Sequence, residues 1–324
     1  MRQPVIIQIE SIYYPILAIV GVPANVVTLV ILSRGRCELS KCITQYLLAM
    51  AAADLAFLIF DVILYEINDS HFPYSVLNYT PACRLILTLN FASVHCSVWL
   101  TVAFTFDRFV AICCQNLRTK YCTSKTSIVI ITAVCLLGSL QSVPFYFIYM
   151  PRDIVDNLPW SCAVKTSFYT LPIWIAFLWV EVFFTPFLPF SLILFLNVLT
   201  IKYIVQANRV RRGLLRIGSA KKDKDPEIVN RRKSMILLLA ISGNFIILWF
   251  VNFVSYVYSQ FTDTQFLEAN FNDPFTILEQ TGYILRTISC CVNTFIYAVS
   301  PRKFREEFKN MIKCPPTVLV KLLK

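Results

Sequence analysis

Seven stretches of the chain stay apolar for roughly 20 residues or more, the length a helix needs to cross the hydrocarbon core. They fall at about 12–33, 43–65, 83–114, 126–149, 171–205, 232–260 and 275–299. The runs are continuous and do not alternate apolar with polar, which excludes a strand barrel. The longer ones exceed the bilayer thickness and are expected to tilt or project beyond it. The first run has no basic region before it and no small-residue cleavage pattern after it, so it is expected to span and not to act as a removable signal. The pattern predicts an all-α membrane protein, a seven-transmembrane helix bundle.

Composition agrees. Of 324 residues, 57% are hydrophobic and 15% charged, and the mean hydropathy is +0.62; a soluble domain carries about 25% charged residues. Seven glycines exclude a collagen-like chain, and twelve cysteines in a chain of this length are no disulfide scaffold. The net charge of +11 then has to be read by side of the membrane. Arg34, Arg36 and Lys41 follow the first run; Arg108, Arg118, Lys120 and Lys125 follow the third; eleven more lie between Lys202 and Lys233, and seven in the tail after residue 300. Thus 25 of the 30 basic residues share one side. The other side keeps Arg2, Arg84, Arg152, Lys165 and Arg286 with nine acids, among them Glu66, Asp153, Asp156, Asp263 and Asp273. The positive-inside rule places the N-terminus, residues 1–11, outside and the C-terminus in the cytoplasm of a plasma-membrane protein.

Two further signals bear on sidedness. The sequons at Asn68 and Asn78 both fall between runs two and three, on the expected outer face, as candidate glycosylation sites. Only Cys83 and Cys162 among the cysteines lie at that face; an oxidising exterior would pair them in a disulfide, the alternative being two free thiols.

Polar side chains within the runs carry the candidate chemistry, because an ionisable group at mid-membrane is costly and functional by default. Asp54 lies mid-run two, Asn25 mid-run one, Ser97 mid-run three, and Ser289 and Asn293 one turn apart in run seven. If they converge they suit a small cation such as Na⁺; the alternative is a hydrogen-bonded network that joins helices. Asp61, Glu181 and Arg286 lie nearer the outer thirds, with Trp174, Trp179, Tyr256 and Tyr283 at similar depth, as a ligand pocket would be lined. For the Trp and Tyr, and for Trp174 above all, the alternative is an interfacial aromatic belt. His95 reads as a hydrogen-bonded core residue. Asp107-Arg108 ends run three, where a bare charge pair is also an ordinary topology signal. After Ser300-Pro301, Phe304, Phe308 and Ile312 recur every four residues, with Arg302, Lys303, Arg305, Lys309 and Lys313 mostly on other faces. This predicts a short amphipathic surface helix over 301–313, with Cys314 as a candidate palmitoylation site and 314–324 as a cytoplasmic tail.

Taken together these residues resemble the rhodopsin-like (class A) G-protein-coupled receptors over the whole chain. Gly21-Val22-Pro23-Ala24-Asn25 resembles the first-helix motif and Leu48–Asp54 the second. Cys83 stands the family's 25 residues before Arg108, Pro189 matches the fifth-helix Pro, and Trp249 the sixth-helix toggle Trp. Asn293-Thr294-Phe295-Ile296-Tyr297 resembles the family's Asn-Pro-x-x-Tyr. Leu248-Trp249, Asn197 and the Ala-Ala-Ala-Asp run look similar to an orphan branch proposed to sense aromatic amino acids or peptides. The chain departs from the pattern at Phe109 (motif Tyr), Thr294 and Val251 (motif Pro), Val134 (usual Trp) and Asn197 (usual Tyr). Arg231, where some members carry Glu, cannot pair with Arg108, which predicts appreciable basal signalling.

The resemblance implies a single receptor domain over 1–324, with no catalysis, that binds an extracellular small polar-aromatic molecule or short peptide and activates a heterotrimeric G protein. Asn90 stands where amine receptors carry Asp, and Thr287 where opsins carry the retinal Lys. Pocket candidates are Asn90, Val94, Glu181, Asn252, Phe253, Tyr256, Tyr283 and Arg286, with Glu181 and Arg286 able to pair or to hold a zwitterion. The switch residues are Asp107, Arg108, Trp249, Asn293 and Tyr297, and Asp54, Ser97, Ser289 and Asn293 are the candidate Na⁺ site. Membrane lipids are expected partners of the basic loop and surface helix; nucleic acid is not. A transporter or channel with an Asp54-centred ion site is the second class, disfavoured because no internal repeat or paired interrupted helix is visible. An intramembrane enzyme is the third, disfavoured because Asp54 and Asp61 share one helix and two His form no metal cluster.

Overall fold

A computed structural model describes residues 4–35, 37, 39–216, 226–262, 273–299 and 302–312. Six of its helices are long and apolar enough to cross a membrane, and a further long helix completes a bundle of seven. They are α1 (Val5–Ser33), α2 (Lys41–His71), α3 (Thr80–Cys113), α4 (Ser124–Ile148), α5, α6 (Pro226–Thr262) and α7 (Pro274–Val299), followed by the short α8 (Arg302–Ile312). α5 comprises Pro172–Val182, a π-helical turn at Phe183–Phe187, and Leu188–Arg216. Each helix exceeds its apolar run at one end or both, and a polar side chain caps the N-terminus of α2, α4 and α7. Ser40 Oγ accepts from Ile43 N, Thr123 Oγ1 from Thr126 N, and Asp273 Oδ2 from Phe275 N and Thr276 N.

Two π-helical stretches interrupt the α-helical register, one at Leu58–Ile67 in α2 and one before Pro189 in α5. The second contains Pro186, whose missing N–H cannot close the ordinary ladder. The first contains no proline; it carries Asp61, and both Asp54 and Asp61 are turned into the bundle, each 1% exposed. α6 is one continuous helix through Val251, in keeping with the loss of the proline there.

α3 is the central element, packed against α2, α4, α5 and α6. Three apolar layers stack around it. At the Arg108 end, Tyr46, Leu47, Phe104, Leu238 and Tyr297 are buried together with Phe304 of α8. In the middle lie Tyr14, Phe57, Val98, Phe245 and Trp249. At the other end Cys83, Leu87, Phe145, Phe168 and Leu178 close the bundle. α4 turns Val129, Leu136, Leu137 and Leu140 outward, each at least 60% exposed, as expected of a lipid-facing helix. The segment between α4 and α5 folds into two nested ribbons, β1 (Tyr149–Met150) on β4 (Ala163–Val164) and β2 (Asp153–Val155) on β3 (Leu158–Trp160). Asp156 and Asn157 form its tip with positive φ, which Asp and Asn tolerate. The sequence pattern had not predicted this hairpin. It is pinned by the Cys83–Cys162 disulfide and by a hydrogen bond from Trp160 Nε1 to Pro73 O, and its end of the bundle is called the hairpin end below.

α8 packs on α7 and α1, with Phe304 fully buried on Tyr297. Ser300, Pro301, Cys314 and the 314–324 tail lie outside the described residues, as does the side chain of Arg231.

α6 and α7 form the most extensive helix pair, and Gly282 is the reason they can. A Cβ there would stand 2.8 Å from the backbone N and Cα of Asn252, whereas a Cβ at Gly243 would meet nothing within 4 Å. Gly282→Ala is therefore expected to destabilise the purified receptor by about 1–3 kcal/mol through overpacking, despite alanine's higher helix propensity. Gly243→Ala is expected to be neutral or to stabilise by up to about 1 kcal/mol. Thermal unfolding in detergent distinguishes the two.

Candidate functional site

Charged and amide side chains inside the bundle gather in three groups stacked along its axis. The group nearest the hairpin end is built on Asp61. Its Oδ1 accepts from Asn90 Nδ2 of α3, and its Oδ2 from the Tyr283 hydroxyl of α7, so one carboxylate joins three helices. Arg286, one turn along α7, does not join this pairing. Its guanidinium carbon sits 4.5 Å from the Tyr283 ring centre, 5.7 Å from Phe57 and 5.8 Å from Trp249, a three-ring cage. Trp249 is buried and stacks on Phe245 at 4.9 Å. Of the other pocket candidates, Val94 is buried in the middle layer, and Phe253 stacks on Phe190 at 4.9 Å to tie α6 to α5. Asn252 lends its backbone to the Gly282 contact, and Tyr256 lies within electrostatic reach of both Glu181 and Arg286.

Glu181 belongs to a separate network, which corrects the expectation that it could pair with Arg286. Its carboxylate contacts His95 Nε2 and accepts from Gln141 Nε2 (2.9 Å) and Thr185 Oγ1 (2.7 Å). His95 Nδ1 lies 2.8 Å from Ser142 Oγ, so both ring nitrogens are engaged and α3, α4 and α5 are cross-linked. His95 is indeed a hydrogen-bonded core residue, but its partner is an acid. Trp174 packs on Phe168 and Phe177, while Trp179 faces outward at 46% exposure, so the belt position falls to Trp179 and not to Trp174.

The middle group surrounds Asp54. Ser97 Oγ donates to its Oδ1 (2.7 Å) and Asn293 Nδ2 to its Oδ2 (2.9 Å). Asn244 of α6 donates to Ser289 Oγ (3.3 Å) and Asn293 Oδ1 (3.4 Å), extending the network to a third helix pair. Asn25 does not reach the carboxylate, since its amide donates to Gly21 O and Cys290 O. Thr28 Oγ1 donates to Thr294 Oγ1 (3.0 Å), so the residue standing in for the motif Pro fastens α7 to α1. The oxygens of Asp54, Ser97, Ser289 and Asn293 are the donor types a hard monovalent cation takes. Asn244 carried a visible signal, an amide within an apolar run, that the sequence reading left aside.

At the Arg108 end, Arg108 Nε donates to Asp107 Oδ2 (2.9 Å), Cys42 Sγ to Asp107 Oδ1 (3.1 Å) and Cys122 Sγ to Asp107 O (3.6 Å). Both charged residues are buried. Ser242 Oγ of α6 donates to Asn197 Oδ1 of α5 (3.1 Å), a link between the two helices in the position where a Tyr was expected. Among the described residues the buried Tyr297 hydroxyl has no hydrogen-bond partner.

The two sequon asparagines are bound to each other: Asn68 Nδ2 donates to Asn78 Oδ1 (2.6 Å), and Asn78 Nδ2 to the carbonyls of Phe72 and Pro73. Both are buried, so a glycan on either would have to replace this clamp.

Seven packed helices, a disulfide-pinned hairpin over one end and a buried Asp-Arg pair at the other define a seven-transmembrane receptor. The family model of the 7 transmembrane receptor (rhodopsin family) matches residues 24–297, and the chain belongs to that family. It is 25% identical over 303 residues to growth hormone secretagogue receptor type 1 of Mus musculus, covering 89% of this chain and 76% of the relative. It is 25% identical over 311 residues to somatostatin receptor type 2 of Mus musculus (92% and 75%). It is 22% identical over 310 residues to the FMRFamide receptor of Drosophila melanogaster (90% and 52%). These are receptors and not enzymes, and the chain is a multi-pass membrane receptor like them.

Breaking the buried His95–Glu181 contact from one side leaves the other group with only its neutral partners (Gln141 and Thr185 for Glu181, Ser142 for His95), so Glu181→Leu or His95→Leu alone is expected to cost about 3–5 kcal/mol. The double variant should lose much less than the sum of the two. A double-mutant cycle on thermal unfolding measures the coupling; additive losses would show the pair to be energetically independent.

Proposed function

We propose that the chain is a receptor for an extracellular peptide that enters from the hairpin end and activates a heterotrimeric G protein at the Arg108 end. One continuous series of contacts carries this reading. Arg286 rests on Trp249, Trp249 stacks on Phe245, the adjacent Asn244 bonds Asn293, and Asn293 bonds Asp54. A group held at the hairpin end thereby bears on α6 and α7, the pair whose rearrangement would open the Arg108 end. Activation is a population shift, in which the ligand favours the open state only by its differential affinity. The similarity to receptors named for secretagogue, FMRFamide and somatostatin supports a peptide over the small polar-aromatic molecule.

The distribution of basic residues supports an N-terminus outside, and the Cys83–Cys162 disulfide supports an oxidising environment at the hairpin end. Na⁺ at Asp54, held by Ser97, Ser289 and Asn293, would favour the closed state. Cys314 is retained as a palmitoyl attachment point beside α8, and Asn68 and Asn78 as outer-face sequons that could be glycosylated before the clamp closes.

Cells expressing the receptor are expected to give a G-protein dissociation signal above mock without ligand, and Arg108→Ala should remove it. Added Na⁺ should lower that signal in the wild type and leave Asp54→Asn unaffected. An N-terminal epitope should be labelled on intact cells. Labelling only after permeabilisation, or silence of every G-protein reporter both without ligand and with a peptide library, would overturn the assignment.

A further inference from the structure

A guanidinium in the hydrocarbon interior is costly unless its donors are used. Among the described residues no hydrogen bond or ion pair reaches Arg286; its Nε is buried and has no partner. Asp61, the nearest acid by field, is already taken at both oxygens by Asn90 and Tyr283. What surrounds the cation is the cage of Phe57, Tyr283 and Trp249, which leaves the donor edge unused.

A second orphan lies beside the same carboxylate. Asn90 is 7% exposed, and because its amide nitrogen must face Asp61, its Oδ1 points away and has no partner among the described residues. Asp61 thus holds an amide whose free end is an acceptor, with a cation whose free edge is a donor fork one turn beyond Tyr283. The unused pair is complementary to a group that carries a carboxylate and, next to it, an N–H. That is the chemistry of an α-carboxylate with its own amide or amino nitrogen. The fork suits a planar carboxylate in two-point contact, and the rings beneath it suit an aromatic or apolar side chain.

We propose that Arg286 and Asn90 form a subsite for a free α-carboxylate and its adjacent N–H, supplied by the unamidated C-terminus of a peptide or by a free amino acid. This rests on the receptor assignment above and sharpens it. A ligand ending in a neutral amide would leave the cation unpaired. Holding an anion over Trp249 also gives the ligand direct purchase on the α6 residue through which the bundle is coupled.

The test uses purified full-length receptor in lipid nanodiscs and three pairs of probes. N-Acetyl-L-tryptophan is compared with N-acetyl-L-tryptophanamide, L-tryptophan with L-tryptophanamide, and the tripeptide Gly-Gly-Phe with its C-terminal amide. Binding is read by calorimetric titration and by the shift in unfolding temperature. Each acid that binds should do so at least about tenfold more tightly than its amide. Arg286→Gln should bring acid and amide together, and Arg286→Lys should keep part of the preference. The N-acetyl and tripeptide arms against the free amino acid separate the two sources. Equal affinity of acid and amide in the wild type, an unchanged preference in Arg286→Gln, or no binding of any acid up to about 10 mM would overturn the subsite. Failure of the receptor assignment is read independently: acid binding without any G-protein response would sink that assignment and leave the subsite standing.

Discussion

A bilayer core offers no water to solvate a charge, and this constraint orders the rest of the molecule. An ionisable side chain there costs several kcal/mol unless it turns inward and finds partners. Asp54, Asp61 and Glu181 all do so, each at 3% exposure or less, and each spends its oxygens on side chains from other helices. The carboxylates therefore act as tie points, joining α2 to α3 and α7 twice and α3 to α4 and α5 once. Hydrophobic burial cannot supply that specificity, because helix against lipid is nearly as apolar as helix against helix.

The same constraint explains how the bundle tolerates its departures from the family pattern. With Val251 in place of proline, α6 keeps its full ladder of backbone hydrogen bonds, and Gly282 lets α7 lie directly on it. With Thr294 in place of proline, α7 keeps its own ladder and gains a hydroxyl that accepts from Thr28. Lost helix irregularities are replaced by closer packing and by side-chain bonds between helices. The irregularity of this chain sits instead in the π-helical turns of α2 and α5, where Asp61 is presented and where Pro186 interrupts the ladder.

Spans were legible because twenty apolar residues in a row admit few other fates, and the Asp54–Ser97–Asn293 group because polar residues at one depth tend to meet. Pairing was less legible than depth. Glu181 and Arg286 have opposite charge and similar depth, yet His95, an uncharged-looking residue in an apolar run, takes the acid. One-dimensional spacing gives the height of a side chain along a helix, and not which neighbour it faces. The hairpin between α4 and α5 escaped for a related reason. Its strands are two or three residues long, below the length at which alternation is readable, and long-range contacts to Cys83 and Pro73 hold it.

The Arg286–Trp249 contact also sets a limit on how the switch can work. A partly desolvated cation–π contact is worth about 1–2 kcal/mol, which corresponds to a factor of about 5–30 in an equilibrium. Moving a bundle from about 1% to about 99% open takes roughly 5.5 kcal/mol. Altering the cation over Trp249 cannot by itself carry a receptor across that range. Either the resting bundle is already partly open, or the ligand must also engage a second element that differs between the two states. The first alternative accords with Arg231 standing where some members of the family carry Glu. For the second, Asn90 is the nearest group, since it is fixed to α2 through Asp61 and lies on the central helix against which α2, α4, α5 and α6 pack.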